Sequence, residues 1–175
     1  MLGNRNGYQF LWKEAQAQVR ASPAQFTFLN NGSYYSISTL IQDSATIFFT
    51  RTGANDPQFN LRREPAYIIR RQGNSQDFVS VLELHGHYDA VTESSLQSHS
   101  SVESIRILEK TAEMIIIQIK MKGKELVIAQ MNTGFKKETN HSIVIEGHSY
   151  VWNGPFGVWW EGRKMSGGAE NVSGE

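Results

Sequence analysis

Apolar residues along this chain come in short runs enriched in β-branched and aromatic types, cut apart by Gly, Asn, Asp and Lys. That spacing is the period of strands, and it predicts strands over residues 8–12, 25–29, 33–41, 46–51, 66–71, 78–84, 102–108, 114–121, 125–130, 142–146, 149–152 and 157–160. Three joins carry residues that tolerate positive φ: Asn30-Asn31-Gly32, Lys122-Gly123 and Gly147-His148. They predict three tight hairpins and hence antiparallel pairing. The run Met114-Ile115-Ile116-Ile117 is apolar without alternation, which marks a central strand buried on both faces.

One stretch, 11–21, has a composition that allows a helix, stopped by Ser22-Pro23. It reads equally well as a polar strand or a loop. Strands of this number must close into two sheets or a barrel, and the expectation is an all-β antiparallel β-sandwich of two packed sheets. The expected organisation is a single sandwich domain over 1–161, followed by a flexible tail over 162–175, which is rich in Gly, Ser and Asn.

The chain has 175 residues, enough for one domain to bury roughly 70% of its unfolded surface without a disulfide or metal. Cysteine is absent, which removes disulfides, zinc-thiolate sites and thiol nucleophiles. Lys+Arg and Asp+Glu both number 17, so no basic footprint points to nucleic acid, although a local cationic patch for an acidic sugar is compatible with the balance. No apolar run approaches the ~20 residues of a membrane-spanning helix. The first residues show no apolar core of a signal peptide. No phosphate loop, nucleophile elbow or dinucleotide fingerprint is present, so no cofactor is expected.

Candidate chemistry concentrates between Asp56 and Ser95. Arg62, Arg63 and Glu64 precede Pro65, which lacks a ladder donor and marks a strand entrance or edge. An arginine fork there suits a uronate carboxylate; the competing reading is an Arg-Glu pair that braces the loop. His85, His87 and Tyr88 follow the strand at 78–84. Uninterrupted alternation would put both imidazoles on one face, for a metal shared with Asp89 or Glu93, for proton transfer with Tyr88, or for direct substrate contact. Gly86 between them argues for a bulge that breaks the alternation, and no third ligand stands at a fixed spacing, so no metal site is assigned. Hydrogen-bonded loop structure is the preferred reading. Near the end, Trp159 and Trp160 are candidate sugar-stacking rings, with sealing of the core as the alternative. His99 and His141 read as solvated loop residues.

The strings Asp56-Pro57, Phe59-Asn60-Leu61-Arg62-Arg63-Glu64-Pro65, Phe78-Val79-Ser80-Val81, His85-Gly86 with Tyr88, and Val91-Thr92-Glu93 resemble the C-terminal region of alginate lyases of polysaccharide lyase family 17, within the heparinase II/III-like superfamily. Tyr8-Gln9-Phe10-Leu11-Trp12 and Ala24-Gln25-Phe26-Thr27 resemble earlier strands of the same region. The resemblance implies a parent enzyme, periplasmic or secreted and bacterial, that performs β-elimination at uronates of an acidic polysaccharide such as alginate. In it, an N-terminal helical toroid supplies most of the catalytic face. Those catalytic motifs and the zinc ligands lie upstream of the matched region, so no catalytic residue is expected in this chain. The expected role is scaffold and domain contact, with acidic-sugar contact as a further candidate; a free-standing carbohydrate-binding module and a minimal lyase using Tyr88 are the alternatives.

Overall fold

The computed structural model describes residues 2–53, 63–132 and 139–166. Among them the chain forms one 3-10 turn, Tyr8–Phe10, and the strands β1 (Leu11–Val19), β2 (Ala24–Asn30), β3 (Ser33–Thr39), β4 (Ala45–Thr52), β5 (Pro65–Arg70), β6 (Ser80–Asp89), β7 (Ser94–Leu96), β8 (Val102–Lys110), β9 (Met114–Met121), β10 (Lys124–Met131), β11 (Asn140–Ile145), β12 (His148–Asn153), β13 (Phe156–Trp160) and β14 (Arg163–Ser166). The strands group into two compact units, Met1–Ala24 with Ile41–Phe78 and Gln25–Leu40 with Val79–Glu175.

The first unit carries the antiparallel sheet β1-β4-β5. The stretch left open between helix and strand is strand β1. Its Lys-Glu-Ala-Gln composition favours a helix locally, but pairing with β4 from Leu11↔Thr52 to Val19↔Ala45 supplies the amide partners, and tertiary pairing overrides weak propensity. The expected strand at 8–12 starts only at Leu11, because Tyr8–Phe10 winds as a 3-10 turn behind Gly7 at φ 88°. The middle strand β4 buries consecutive residues, Ile47 and Phe48.

The second unit is built on a central sheet, β14-β13-β10-β9-β8. As the apolar run predicts, β9 is covered on both faces. On one face, Ile105, Ile107, Ile117, Ile119, Leu126 and Ile128 meet Val81 of an outer sheet, β2-β3-β6-β7, with Leu40 and Val79 at the ends of its β3 and β6. On the other, Ile116, Val127, Ala129 and Trp159 meet Ile143, Ile145, Tyr150 and Trp152 of the β11-β12 hairpin. The outer sheet and the central sheet form the expected antiparallel sandwich, and the hairpin adds a layer. The three hairpins also close as expected. Asn31 and Gly32 (φ 48° and 76°) and Glu146 and Gly147 (φ 51° and 82°) each place two consecutive residues at positive φ, as a twisted two-residue turn demands.

Three further strands differ from expectation. The sixth begins at Ser80 and runs to Asp89, so the His-Gly-His-Tyr-Asp run is strand rather than loop. A short β7 pairs with its end. Of the tail expected from residue 162, Arg163–Ser166 pairs with β13 as β14, while 167–175 lie outside the described residues.

The outer sheet carries its polarity in an unusual sense. Register pairs Ser36 with Glu83 and Ser38 with Val81 on the side that faces the central sheet, and Ser36 and Ser38 are fully buried. Tyr35 pairs with Leu84 and Ile37 with Leu82 on the other side, where Leu82 and Leu84 are 65% and 63% exposed.

Beneath the hairpin, Trp152 and Trp159 meet edge to face at 5.9 Å, and Tyr150 abuts Trp159 at 5.1 Å. Gly157 makes the room: a Cβ there would lie 2.5 Å from the Trp159 ring and 2.8 Å from Trp152 Cβ. Gly157→Ala is therefore expected to destabilise the fold by about 1–3 kcal/mol through overpacking, and Trp152→Ala by about 3–5 kcal/mol through the cavity it leaves. Denaturant unfolding followed by tryptophan fluorescence for the glycine variant, and by circular dichroism for both, checks these values.

Candidate functional site

The His-Gly-His-Tyr segment lies on β6, and Gly86 decides its geometry. Tyr34 pairs with His85 and Ser33 with His87, so one residue of β6 is extra in the ladder. Gly86 takes φ 50°, and a Cβ on it would lie 2.2 Å from the Gln97 carbonyl oxygen and 2.3 Å from that of Leu96. Only glycine fits a left-handed position so close to another backbone. Because Ser33 and Tyr34 are neighbours on β3, the bulge turns His85 and His87 to opposite faces of the sheet.

His85 faces the central sheet within a hydrogen-bonded chain. Its Nδ1 lies 2.8 Å from the Gln97 carbonyl oxygen, which can only accept, so Nδ1 carries the proton. Its Nε2 then accepts from the Ser36 hydroxyl at 2.8 Å, and Ser36 Oγ accepts from Thr27 Oγ1 at 2.6 Å. A serine donating to a histidine that is oriented by a third group is the layout of an activated nucleophile. Here Ser36 is fully buried, so no substrate carbon reaches its oxygen. The arrangement pairs polar groups inside the sandwich instead. Tyr34 stacks beside the His85 ring at 6.2 Å and shares a hydrogen bond with Ser95. Sequence reasoning missed Ser36, whose only signal is a polar residue at an inward strand position.

Next to this chain, Glu83 holds the loop before β8. Burial would raise its carboxyl, but hydrogen bonds from the Ser100 hydroxyl at 2.6 Å, the Ser101 hydroxyl and the Ser101 N–H at 3.0 Å, together with nearby His85, outweigh burial and hold it below the ordinary value. Asp89 accepts the Val91 N–H at 2.8 Å, and this bond and those from Thr92 lower its carboxyl likewise. It thus closes a turn. His87 is exposed, and Tyr88 is half-buried with its N–H donated to the Gly32 carbonyl. Among the described residues, no group of three or more His, Asp or Glu is arranged to hold a metal ion.

The remaining candidates lie elsewhere. In the first unit the Arg63 guanidinium sits 5.6 Å over the Trp12 ring, and its carbonyl accepts from Arg51, which pairs with Glu14 at 2.7 Å. The Glu64 backbone exchanges hydrogen bonds with Thr52 at the start of β5. Arg62 lies outside the described residues. In the second unit Trp159 is only 4% exposed, its ring spent on the core, whereas Trp160 is half-buried with Lys124 Nζ 5.7 Å over its ring. His141 stands in β11 stacked on Trp152 at 5.1 Å rather than in a solvated loop; the tryptophan's apolar face holds it there. His141 Nε2 and Trp152 Nε1 are buried without a hydrogen-bond partner among the described residues.

A cleft of about 610 Å³ opens beside the β9-β10 turn, lined by Lys120, Lys124, Glu125, His148, Tyr150 and Glu161 among others. Of its lining the sequence marked only Trp159, because its side chains come from five separate strands and the turns between them. Glu125 accepts from Gln118 at 2.8 Å, and Gln118 accepts two N–H bonds from Arg106 at 2.7 and 2.9 Å. Burial first, then the charges of Glu125 and Glu146, push the Tyr150 phenol up. Tyr150 is therefore a standing hydrogen-bond donor, unsuited to act as a base.

Because the folded-state carboxyl of Glu83 is lowered, its contribution to stability is complete above the ordinary carboxylate range and is lost as pH falls through the lowered value. Glu83→Gln is expected to unfold more easily than the wild type at neutral pH, with the difference narrowing on acidification; urea titrations across a pH series measure it. Gly86→Ala is expected to cost more than the ordinary ~1 kcal/mol of such a change, because its Cβ meets backbone.

No family model matches the chain. It is 32% identical over 157 residues to an alginate lyase of Stenotrophomonas maltophilia, and 31% identical over 159 residues to an exo-oligoalginate lyase of Saccharophagus degradans. Each match covers 88% of this chain but 21% of the relative, so the chain spans about a fifth of the length of the curated relatives it matches. Over nearly all of its length, this chain is homologous to one segment of each of these two enzymes.

Proposed function

We propose that the chain is the C-terminal β-sandwich region of an alginate lyase of polysaccharide lyase family 17, in the heparinase II/III-like superfamily. It acts there as scaffold and domain contact for a catalytic part that breaks the glycosidic bond by β-elimination at a uronate. The observation that carries this reading is the match to a fifth of two alginate-degrading enzymes. The state of the acid-base candidates supports it. His85 is engaged at both ring nitrogens, Ser36 is sealed from solvent, and Asp89 closes a turn. Elimination needs a base within reach of the C5 proton and an acid at the leaving oxygen. His85, with both ring nitrogens engaged, is not placed to act as that base.

The second reading, a carbohydrate-binding module, is favoured by the cleft with Lys120, Lys124 and His148 at its rim and the half-buried Trp160 beside it. The two lysines suit a uronate carboxylate, beside the carboxylates of Glu103, Glu125 and Glu161 that also line the cleft, and the ring offers a stacking edge. Acidic-sugar contact in the cleft is compatible with the scaffold role.

Two measurements test these readings. Purified chain mixed with alginate oligomers is expected to produce no unsaturated uronate absorbance, where the Stenotrophomonas enzyme does; turnover by the chain alone would overturn the scaffold reading, and Tyr88→Phe would then decide whether Tyr88 serves as the acid. Calorimetric titration with alginate is expected to give no saturable heat. Saturable heat that disappears in Lys120→Ala/Lys124→Ala would instead establish the binding module.

A further inference from the structure

The outer sheet is inside out. Apart from Val81, which packs on the core, its inward face is polar: Ser36, buried, links Thr27 to His85, Glu83 is tied to Ser100 and Ser101, and Ser38 Oγ is buried without a hydrogen-bond partner among the described residues. Its outward face carries Phe28, Tyr35, Ile37, Leu82, Leu84 and Leu96. Phe28 and Tyr35 stack at 5.4 Å, Tyr35 lies opposite Leu84, and Ile37 lies opposite Leu82. Leu96 pairs with His87, which pairs with Ser33 on that same face, so the patch runs across all four strands. Phe28, Leu82, Leu84 and Leu96 are 45%, 65%, 63% and 55% exposed.

An antiparallel sheet that covers one face with protein normally turns its apolar side to the core and its polar side to water. Here the apolar side is the open one, and a contiguous apolar patch of this kind marks a protein contact. Neither lysine nor arginine stands among its outward positions on β3 and β6, so it lacks the cationic groups an acidic polysaccharide requires. The match adds the occupant: the relatives continue for several times the length that this chain covers.

The geometry points to the outward face of β2-β3-β6-β7 as the docking surface for the polypeptide that makes up the larger, unmatched part of such a lyase, received through an apolar surface of its own. The inference rests on the lyase reading proposed above.

The chain contains no cysteine, so Leu84→Cys introduces a single thiol at the centre of the patch. In the isolated chain this thiol is expected to react with a maleimide as fast as a Lys122→Cys thiol in the exposed β9-β10 turn, at every protein concentration. When the chain replaces the aligned segment of the Stenotrophomonas lyase, labelling at Leu84→Cys, read by peptide mapping, is expected to fall about tenfold or more relative to Lys122→Cys. A cysteine at the aligned position of the unaltered Stenotrophomonas lyase gives the same reading if the hybrid does not fold. Equal labelling of the two positions in the full-length context would overturn the proposal. So would protection in the isolated chain that disappears on dilution, because the occupant would then be a second copy. Alginate turnover by the hybrid separates the two ideas: turnover with Leu84→Cys still reactive sinks the docking face alone, and a protected thiol in a folded but inactive hybrid sinks the lyase reading alone.

Discussion

The larger unit depends on one constraint: the central sheet is covered on both faces over most of its middle strands. Ile116 packs under the hairpin while Ile117 and Ile119 pack under the outer sheet. A strand buried on both sides cannot slip by one residue without exchanging two sets of apolar contacts, so its register is fixed from two directions. Each other layer is positioned by what it covers there. The hairpin is held by Trp152 against Trp159, and the outer sheet by Leu40, Val79 and Val81 against the isoleucines of β8 and β9. At roughly 1.5–3 kcal/mol for each large side chain fully removed from water, these few contacts outweigh any surface ion pair in the molecule.

The polar groups are subordinate to that frame. His85 could attract attention as a base, yet its two nitrogens are committed to Ser36 and Gln97 by the position of β6 in the sandwich. Glu83 is likewise committed to the loop that leads into β8. Burial made hydrogen bonding obligatory, and hydrogen bonding consumed the chemistry. At the cleft rim, Lys120, Lys124 and His148 keep access to water.

How much of this was legible in the sequence follows from the range of the forces involved. The period-two runs, the unbroken Met114–Ile117 stretch and the Asn31-Gly32 and Lys122-Gly123 turns are local signals, and they gave the strands, the hairpins and the sandwich. The bulge at Gly86 was legible for the same reason. The strand character of Leu11–Val19 was not, because it depends on β4, which lies well downstream in the chain. Nor was the fate of Trp159, since two adjacent tryptophans look alike until register places one on Gly157 and the other beside Lys124. The cleft and the Ser36-His85 link are assembled from residues far apart in sequence, and no spacing rule reaches them.

The aromatic contact beneath the hairpin has an optical consequence. Trp152 belongs to the hairpin and Trp159 to the central sheet, and their rings meet nearly at right angles, with Tyr150 against one of them. Chromophores so close and so fixed couple electronically, and the coupling vanishes once the two layers part. The near-ultraviolet dichroism of this chain should therefore report the seating of one layer on another, independently of the far-ultraviolet signal of its strands. A small rearrangement between layers, invisible in strand content, would show there first.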